Sequence, residues 1–216
     1  MKPRSLFFAL PFLASLAWAH PSSAAVLFSD GFNSTPQGLN QTAFNKWNVT
    51  AGSVDVIGTG FFDFYPGNGN YVDLDGTSTS LGTLTTKQSF AAGTYDVSFN
   101  LSAYTYQGQY PLEKTLVSIG SWSQLITPSV DSSFTPGAPM QSFSFKVTTN
   151  GGPLVFQAIN PINPGQGTNV GNILDNVQVA AVPEPATWIM MLLGFALVGL
   201  IAYRCLPSGR AATASI

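Results

Sequence analysis

Alternation of apolar and polar positions dominates the middle of the chain. In "TYDVSFNL", residues 94–101, an extended backbone sends Tyr95, Val97, Phe99 and Leu101 to one side and Asp96, Ser98 and Asn100 to the other. "SFSFKV" repeats the pattern, with Phe143, Phe145 and Val147 opposite Ser142, Ser144 and Lys146. One dry and one wet face predict antiparallel strands. Shorter runs read the same way: "SVDVI" (53–57), "YVDL" (71–74), "TLVSI" (115–119), "LVFQAI" (154–159) and "ILDNVQV" (173–179), punctuated by turn clusters such as "PGNGN" and "NGGP". With no amphipathic helix and no internal repeat, this pattern predicts an all-β, jelly-roll-like two-sheet sandwich.

The two ends break the alternation. Lys2 and Arg4 precede an apolar run over residues 6–19, and small residues follow, the three-part pattern of a secretory signal peptide. Signal peptidase cleavage fits after Ala19 or after Ala25. The second is preferred because "VLFSDGF" then opens the mature chain. Towards the other end, residues 186–203 carry no charge, and as a helix they would rise about 27 Å, close to the ~30 Å apolar thickness of a bilayer. Trp188 and Tyr203 stand at its two ends, and Arg204 and Arg210 follow on the side that the positive-inside rule keeps in the cytoplasm. The expected division is a signal peptide (1–25), one exported domain (26–181) and a C-terminal module (182–216), the last comprising a transmembrane helix (186–203) and a cytoplasmic tail (204–216).

Charge and reactive side chains narrow the chemistry of the exported domain. Nine carboxylates face four lysines and no arginine, a balance of −5. That argues against nucleic acid and anionic polymers, which need clustered Lys and Arg. The chain's single Cys, Cys205, lies beyond the apolar helix, and its single His, His20, precedes the preferred cleavage site. The domain is therefore expected to hold no disulfide, thiol nucleophile, Ser–His pair or His-ligated zinc.

Val182, Pro183, Glu184 and Pro185, then an apolar helix, then basic residues, resemble the PEP-CTERM sorting signal of Gram-negative bacteria. Two prolines keep the backbone around Glu184 out of helix and sheet, presenting an extended peptide. The resemblance implies recognition by an exosortase, with an inner-membrane intermediate and a final place at the cell surface, in the outer membrane or in the extracellular matrix. The tail "YRCLPSGRAATASI" departs from the family's tight arginine cluster by spreading two arginines. A permanent membrane anchor is the alternative. Within the exported domain, "WNVTAGSVDVIG", "NYVDLDGT", "AAGTYDVSFNLS" and "GNILDNVQV" resemble the choice-of-anchor C family, related to plant DUF642 proteins and more distantly to galactose-binding-like jelly rolls. This resemblance implies a sandwich of the kind used by carbohydrate-binding modules.

Asp175 is the sharpest single expectation. Period two places it with Ile173, Val177 and Val179 on the core face, where an unpaired carboxylate costs several kcal/mol. Related carbohydrate-binding sandwiches imply a structural Ca²⁺ held by Asp175 and Asn33, the latter in "DGFN" where a Glu is usual; an amide there weakens the site. The other reading has backbone N–H groups satisfying the carboxylate. Asp73 and Asp75 start like a calcium loop but lack its later ligands, so they are expected on a solvated strand face and turn. Tyr104, Tyr106 and Tyr110, set among glutamines, suit stacking on sugar rings; core packing is the competing role for them and for Phe61, Phe62, Phe64 and Tyr65.

Together these features lead to a non-enzymatic exported surface or matrix protein that binds exopolysaccharide, as in a biofilm. A membrane-retained adhesion module is the alternative. A glycoside hydrolase drawing two carboxylates from Asp63, Asp73, Asp75 and Glu113 lacks a supporting motif.

Overall fold

A computed structural model of the protein describes residues 24–77, 80–104, 114–131, 140–160, 171–182 and 187–205. Ala24–Val182 forms one compact unit, and the C-terminal helix belongs to a second.

Two β-sheets make up the first unit. The larger contains β1 (Ala25–Asp30), β2 (Gly38–Gln41), β5 (Val54–Gly58), β6 (Asn70–Asp73), β10 (Gly93–Tyr104), β13 (Val130–Asp131), β14 (Gln141–Thr149) and β16 (Asn172–Ala181). The smaller contains β3 (Ala43–Phe44), β4 (Trp47–Ala51), β9 (Thr83–Phe90), β11 (Lys114–Ile119), β12 (Trp122–Ile126) and β15 (Gly152–Ile159). A short ribbon of β7 (Asp75–Gly76) and β8 (Ser80–Leu81) completes the set. In the larger sheet the long β10 runs between β14 and β16, and β16 is flanked in turn by β1 and β6. This is the all-β, jelly-roll-like sandwich that the alternation predicts.

The seven runs read from the sequence are all strands, and the pleat explains why. On β10, Tyr95, Val97, Phe99 and Leu101 are buried while Asp96, Ser98 and Asn100 stay half-exposed. Their neighbours on β14 match them pair by pair, Phe99 opposite Phe143 and Val97 opposite Phe145. The core between the sheets is aromatic at its centre. Trp47 packs against Phe28 (ring centroids 5.3 Å apart) and Phe156 (6.1 Å), and Phe156 of one sheet meets Phe99 of the other edge-on at 5.0 Å. Such contacts add about 0.5–1.5 kcal/mol each to the burial of the rings. Strand β9 is less legible, because Thr, Lys, Gln and Ser fill six of its eight positions.

A second apolar cluster lies on the outer face of the larger sheet, where Ile57, Tyr65, Tyr71, Met140 and Ile173 are buried with Phe61 and Phe64 against them. The Tyr71 hydroxyl organises the covering loop, accepting the amides of Phe64 (2.5 Å) and Tyr65 (3.0 Å) and donating to Asp63 (3.2 Å). Burial raises its pKa well above the usual phenol value. Core packing is thus the role of this aromatic run, with Phe62 left exposed. One expectation is corrected here: Asp73 and Asp75 are buried, not solvated. A Cβ on Gly171 would come within 2.4 Å of the Asp73 carboxylate, so the backbone closes directly over it.

In the second unit, α1 (Thr187–Cys205) carries Leu192, Phe195, Val198 and Ile201 exposed, and its only basic side chain in the last turn is Arg204. Among the described residues no helix is long and apolar enough to cross a membrane. The span expected over 186–203 begins outside the described residues, as does the signal peptide expected over 1–25, whose residues 1–23 are not described.

Candidate functional site

A buried polar node joins the first strand to the last. β1 pairs antiparallel with β16, Asp30 opposite Val177. Immediately after Asp30 the chain turns, with Phe32 in the left-handed region (φ 54°) and the Thr35 amide donating to the Phe32 carbonyl at 2.8 Å. The buried Asp30 carboxylate accepts the Phe32 amide at 3.0 Å and the Trp47 indole N–H at 2.8 Å. One side chain therefore caps the turn and satisfies the only polar atom of the core's largest ring.

Asp175 lies across Gly31 from this turn, and its face is not the expected one. Asn176 adopts φ 50°, and between Ser98 and Asn100 the register of β10 advances two residues while β16 advances three, from Gln178 to Asp175. This bulge resets the alternation. Leu174, Val177 and Val179 enter the main core, whereas Asp175, opposite Asn100, shares the outer face with Ile173. Asp175 is nevertheless only 1% exposed. Its carboxylate accepts the Asn176 amide at 2.6 Å and the Asn176 side-chain N–H at 3.1 Å. Burial, reinforced by the negative charge of Asp30 and opposed by the Asn176 amide, pushes its pKa up to about 7.

Asn33 is brought to the same place. A Cβ on Gly31 would stand 3.1 Å from the Asn176 amide oxygen, 3.6 Å from the Asn33 amide nitrogen and 3.8 Å from an Asp175 oxygen, so three side chains converge on this glycine. The Asn33 oxygen accepts the Asn70 amide at 2.8 Å. At Gly69 (φ 78°), any Cβ would fall 1.8 Å from that oxygen, which explains the glycine. A carboxylate, a second negative charge nearby and the Asn176 amide oxygen are donors of the kind a hard cation takes, but Asn33 turns its amide nitrogen, not its oxygen, towards Gly31. Asn33 and Asn176 already have partners, however, and among the described residues no group of three His, Cys, Asp or Glu side chains gathers.

The other expected sites are partly in view. Val182 makes the last sheet contact, its amide donating to the Thr94 carbonyl at 3.1 Å. Pro183, Glu184 and Pro185 lie outside the described residues. Tyr104 ends β10, its backbone paired with Asp131. Its side chain, and the whole of Tyr106, Tyr110 and Glu113, lie outside the described residues. Sequence reading missed two sites. One is the Asp30–Trp47 bond. The other is a cleft that brings Lys46 and Lys87 together, signalled only by two lysines in a domain that holds four.

Sorting signal and sandwich together define a class, a β-sandwich chain with a C-terminal sorting module. More particularly, residues 181–204 match the model of the PEP-CTERM protein-sorting motif, so the chain carries the signal of an exported, surface-directed protein. No curated protein matches the chain. Among solved structures, the fold is similar to the CBM22-1 and GH10 modules of a Clostridium thermocellum endo-1,4-β-D-xylanase complexed with xylohexaose (11% identity, TM-score 0.43, 74% of this chain and 29% of that one). It is also similar to the K3 cleaved adhesin domain of Lys-gingipain from Porphyromonas gingivalis (13%, TM-score 0.44, 73% and 100%). A third similar structure is the CBM22-1 xylan-binding domain of a Paenibacillus barcinonensis protein (12%, TM-score 0.40, 74% and 97%). The chain thus spans under a third of the xylanase, and at these identities the likeness concerns fold alone.

Proposed function

We propose that this is a non-enzymatic protein exported through signal peptidase and processed by an exosortase, leaving its sandwich at the cell surface, in the outer membrane or in the extracellular matrix, where it binds exopolysaccharide. The observation that carries the reading is the sorting motif over residues 181–204, which starts at the residue where β16 ends. The processing peptide follows the sandwich directly. In the sequence that follows, residues 186–203 carry no charge, as a lipid-facing span requires. As a helix those residues would rise about 27 Å, near a bilayer's ~30 Å apolar core.

The polysaccharide part of the proposal rests on the sandwich and on the resemblance to the choice-of-anchor C and DUF642 families, with Tyr104, Tyr106 and Tyr110 as stacking rings. Two of the four candidate carboxylates of a hydrolase have structural partners. Asp63 accepts the Tyr71 hydroxyl, and the buried Asp73 accepts the Asp75 amide at 2.9 Å.

Intact mass of the protein from exosortase-positive cells tests the proposal. The mature chain should begin near Val26 and lack residues 186–203. Replacing Pro183, Glu184 and Pro185 together by Ala should restore the mass of the helix. A wild-type protein that keeps the helix in such cells is a permanently anchored module.

A further inference from the structure

A cleft of about 300 Å³ opens where β1 approaches the β4–β9 pair, lined by Leu27, Phe28, Ser29, Lys46, Lys87 and Gln88. Half of the exported domain's cationic side chains line it, and no carboxylate does. The register explains how they meet. Trp47 pairs with Thr86 and Asn48 with Thr85, and the next step sets Lys46 opposite Lys87, closed by the Lys87 amide donating to the Lys46 carbonyl at 2.9 Å. Like charges directly opposite each other across strands destabilise a sheet. Nine carboxylates were available in the domain, yet a second lysine stands opposite the first.

The cleft is also ordered. The Lys46 ammonium donates to the Ser29 carbonyl at 2.5 Å and lies 5.7 Å from the centroid of the Phe28 ring. An ammonium has three donors. The Gln88 amide donates to the Leu27 carbonyl at 3.4 Å, fixing the β1 wall against β9. Leu27 is exposed and supplies an apolar surface beside these polar groups.

Paired ammoniums, an amide, a hydroxyl and an apolar wall are the complement of a sugar that bears a carboxylate. The acid meets the lysines, the hydroxyls meet Gln88 and Ser29, and the C–H face of the ring lies on Leu27. We propose that this cleft binds a uronic acid unit of an acidic polysaccharide. The proposal rests on the polysaccharide reading above and names its chemical class. It also restricts the exclusion drawn from composition. The domain's overall charge of −5 still opposes a densely charged chain such as nucleic acid, whereas a single carboxylate per sugar is met locally by two cations.

Titration calorimetry of the mature protein with polygalacturonate, and with the same polymer after reduction of its carboxyl groups, tests the assignment. Polygalacturonate should bind, more weakly as salt rises, and the reduced polymer should bind at least about tenfold less tightly. Lys46→Gln and Lys87→Gln should each weaken polygalacturonate binding about tenfold. Lys87→Gln should keep or raise the melting temperature, because it removes the opposed like charge. Equal binding of the acidic and reduced polymers overturns the cleft and leaves the polysaccharide reading standing. Absence of binding to both overturns the cleft, and the polysaccharide reading is then judged by binding to neutral polysaccharides such as xylan and galactan. Unchanged affinity in both lysine variants, or tighter binding to phosphatidylglycerol vesicles than to polygalacturonate, overturns the cleft alone.

Discussion

Asp175 shows how one carboxylate couples burial to pH. Its folded pKa, about 7, lies above the ordinary 3.8, so the folded state binds its proton more tightly than the unfolded chain does. Stability from this group is therefore fully present below about pH 4 and lost as pH rises towards 7. Melting temperature should fall by several degrees across that window and then level off, and Asp175→Asn should flatten the slope. Calcium separates the two readings of the site. A cation bound between Asp175 and Asn33 would hold the carboxylate ionised, reverse the pH trend and, at a hundred times its dissociation constant, add about 2.7 kcal/mol. Asn33→Glu should then enlarge the response. Identical melting curves at pH 7.5 in EDTA and in millimolar calcium would remove the metal and leave Asn176 as the partner of Asp175.

At the scale of elements, the bulge in β16 decides which side chains enter the core. Leu174 precedes it and Val177 and Val179 follow, and all three reach the same core only because Asn176 takes a left-handed conformation. A left-handed residue other than Gly or Asn costs roughly 1–2 kcal/mol. Asn176 is exposed, so its replacement tests the backbone with little burial to confuse the result. Asn176→Gly should change stability by less than about 1 kcal/mol, the lost bond to Asp175 offset by the freer φ, while Asn176→Val should cost about 2 kcal/mol or more. Urea unfolding of the two variants decides the point, and equal stabilities would show that the bulge does not depend on this conformation.

For the whole molecule, the decisive feature is that the last strand is central. β16 joins β10, β1 and β6, so residues 172–181 close the larger sheet from inside. A chain of residues 26–182 should fold, with circular dichroism dominated by β-structure and helix far below the one-third of an ordinary globular protein. A chain ending at residue 170 should remain unfolded, because the strands that β16 joins would face each other across a gap. Folding of the shorter chain would show that the sheet closes without its final strand.

Much of this was written in the local pattern. A period of two is set by the pleat, so the dry faces of β10 and β14 follow from sequence, as does a C-terminal run too apolar to belong to the sandwich. The sorting motif is equally local, being a contiguous peptide. Sites assembled from distant residues were not legible in that way. Period two puts Asp175 on the core face because it assumes an unbroken strand, whereas the bulge at Asn176 depends on pairing with β10, far earlier in the chain. The local pattern leaves Asp73 and Asp75 solvated because the residue that covers them, Gly171, is remote in sequence. The lysine cleft needed the register that sets Lys46 against Lys87 and the approach of β1 to both. Backbone sterics and side-chain alternation act between neighbours and are therefore readable along the chain; register, cover and the meeting of charges are set by long-range strand pairing, which only the folded sandwich decides.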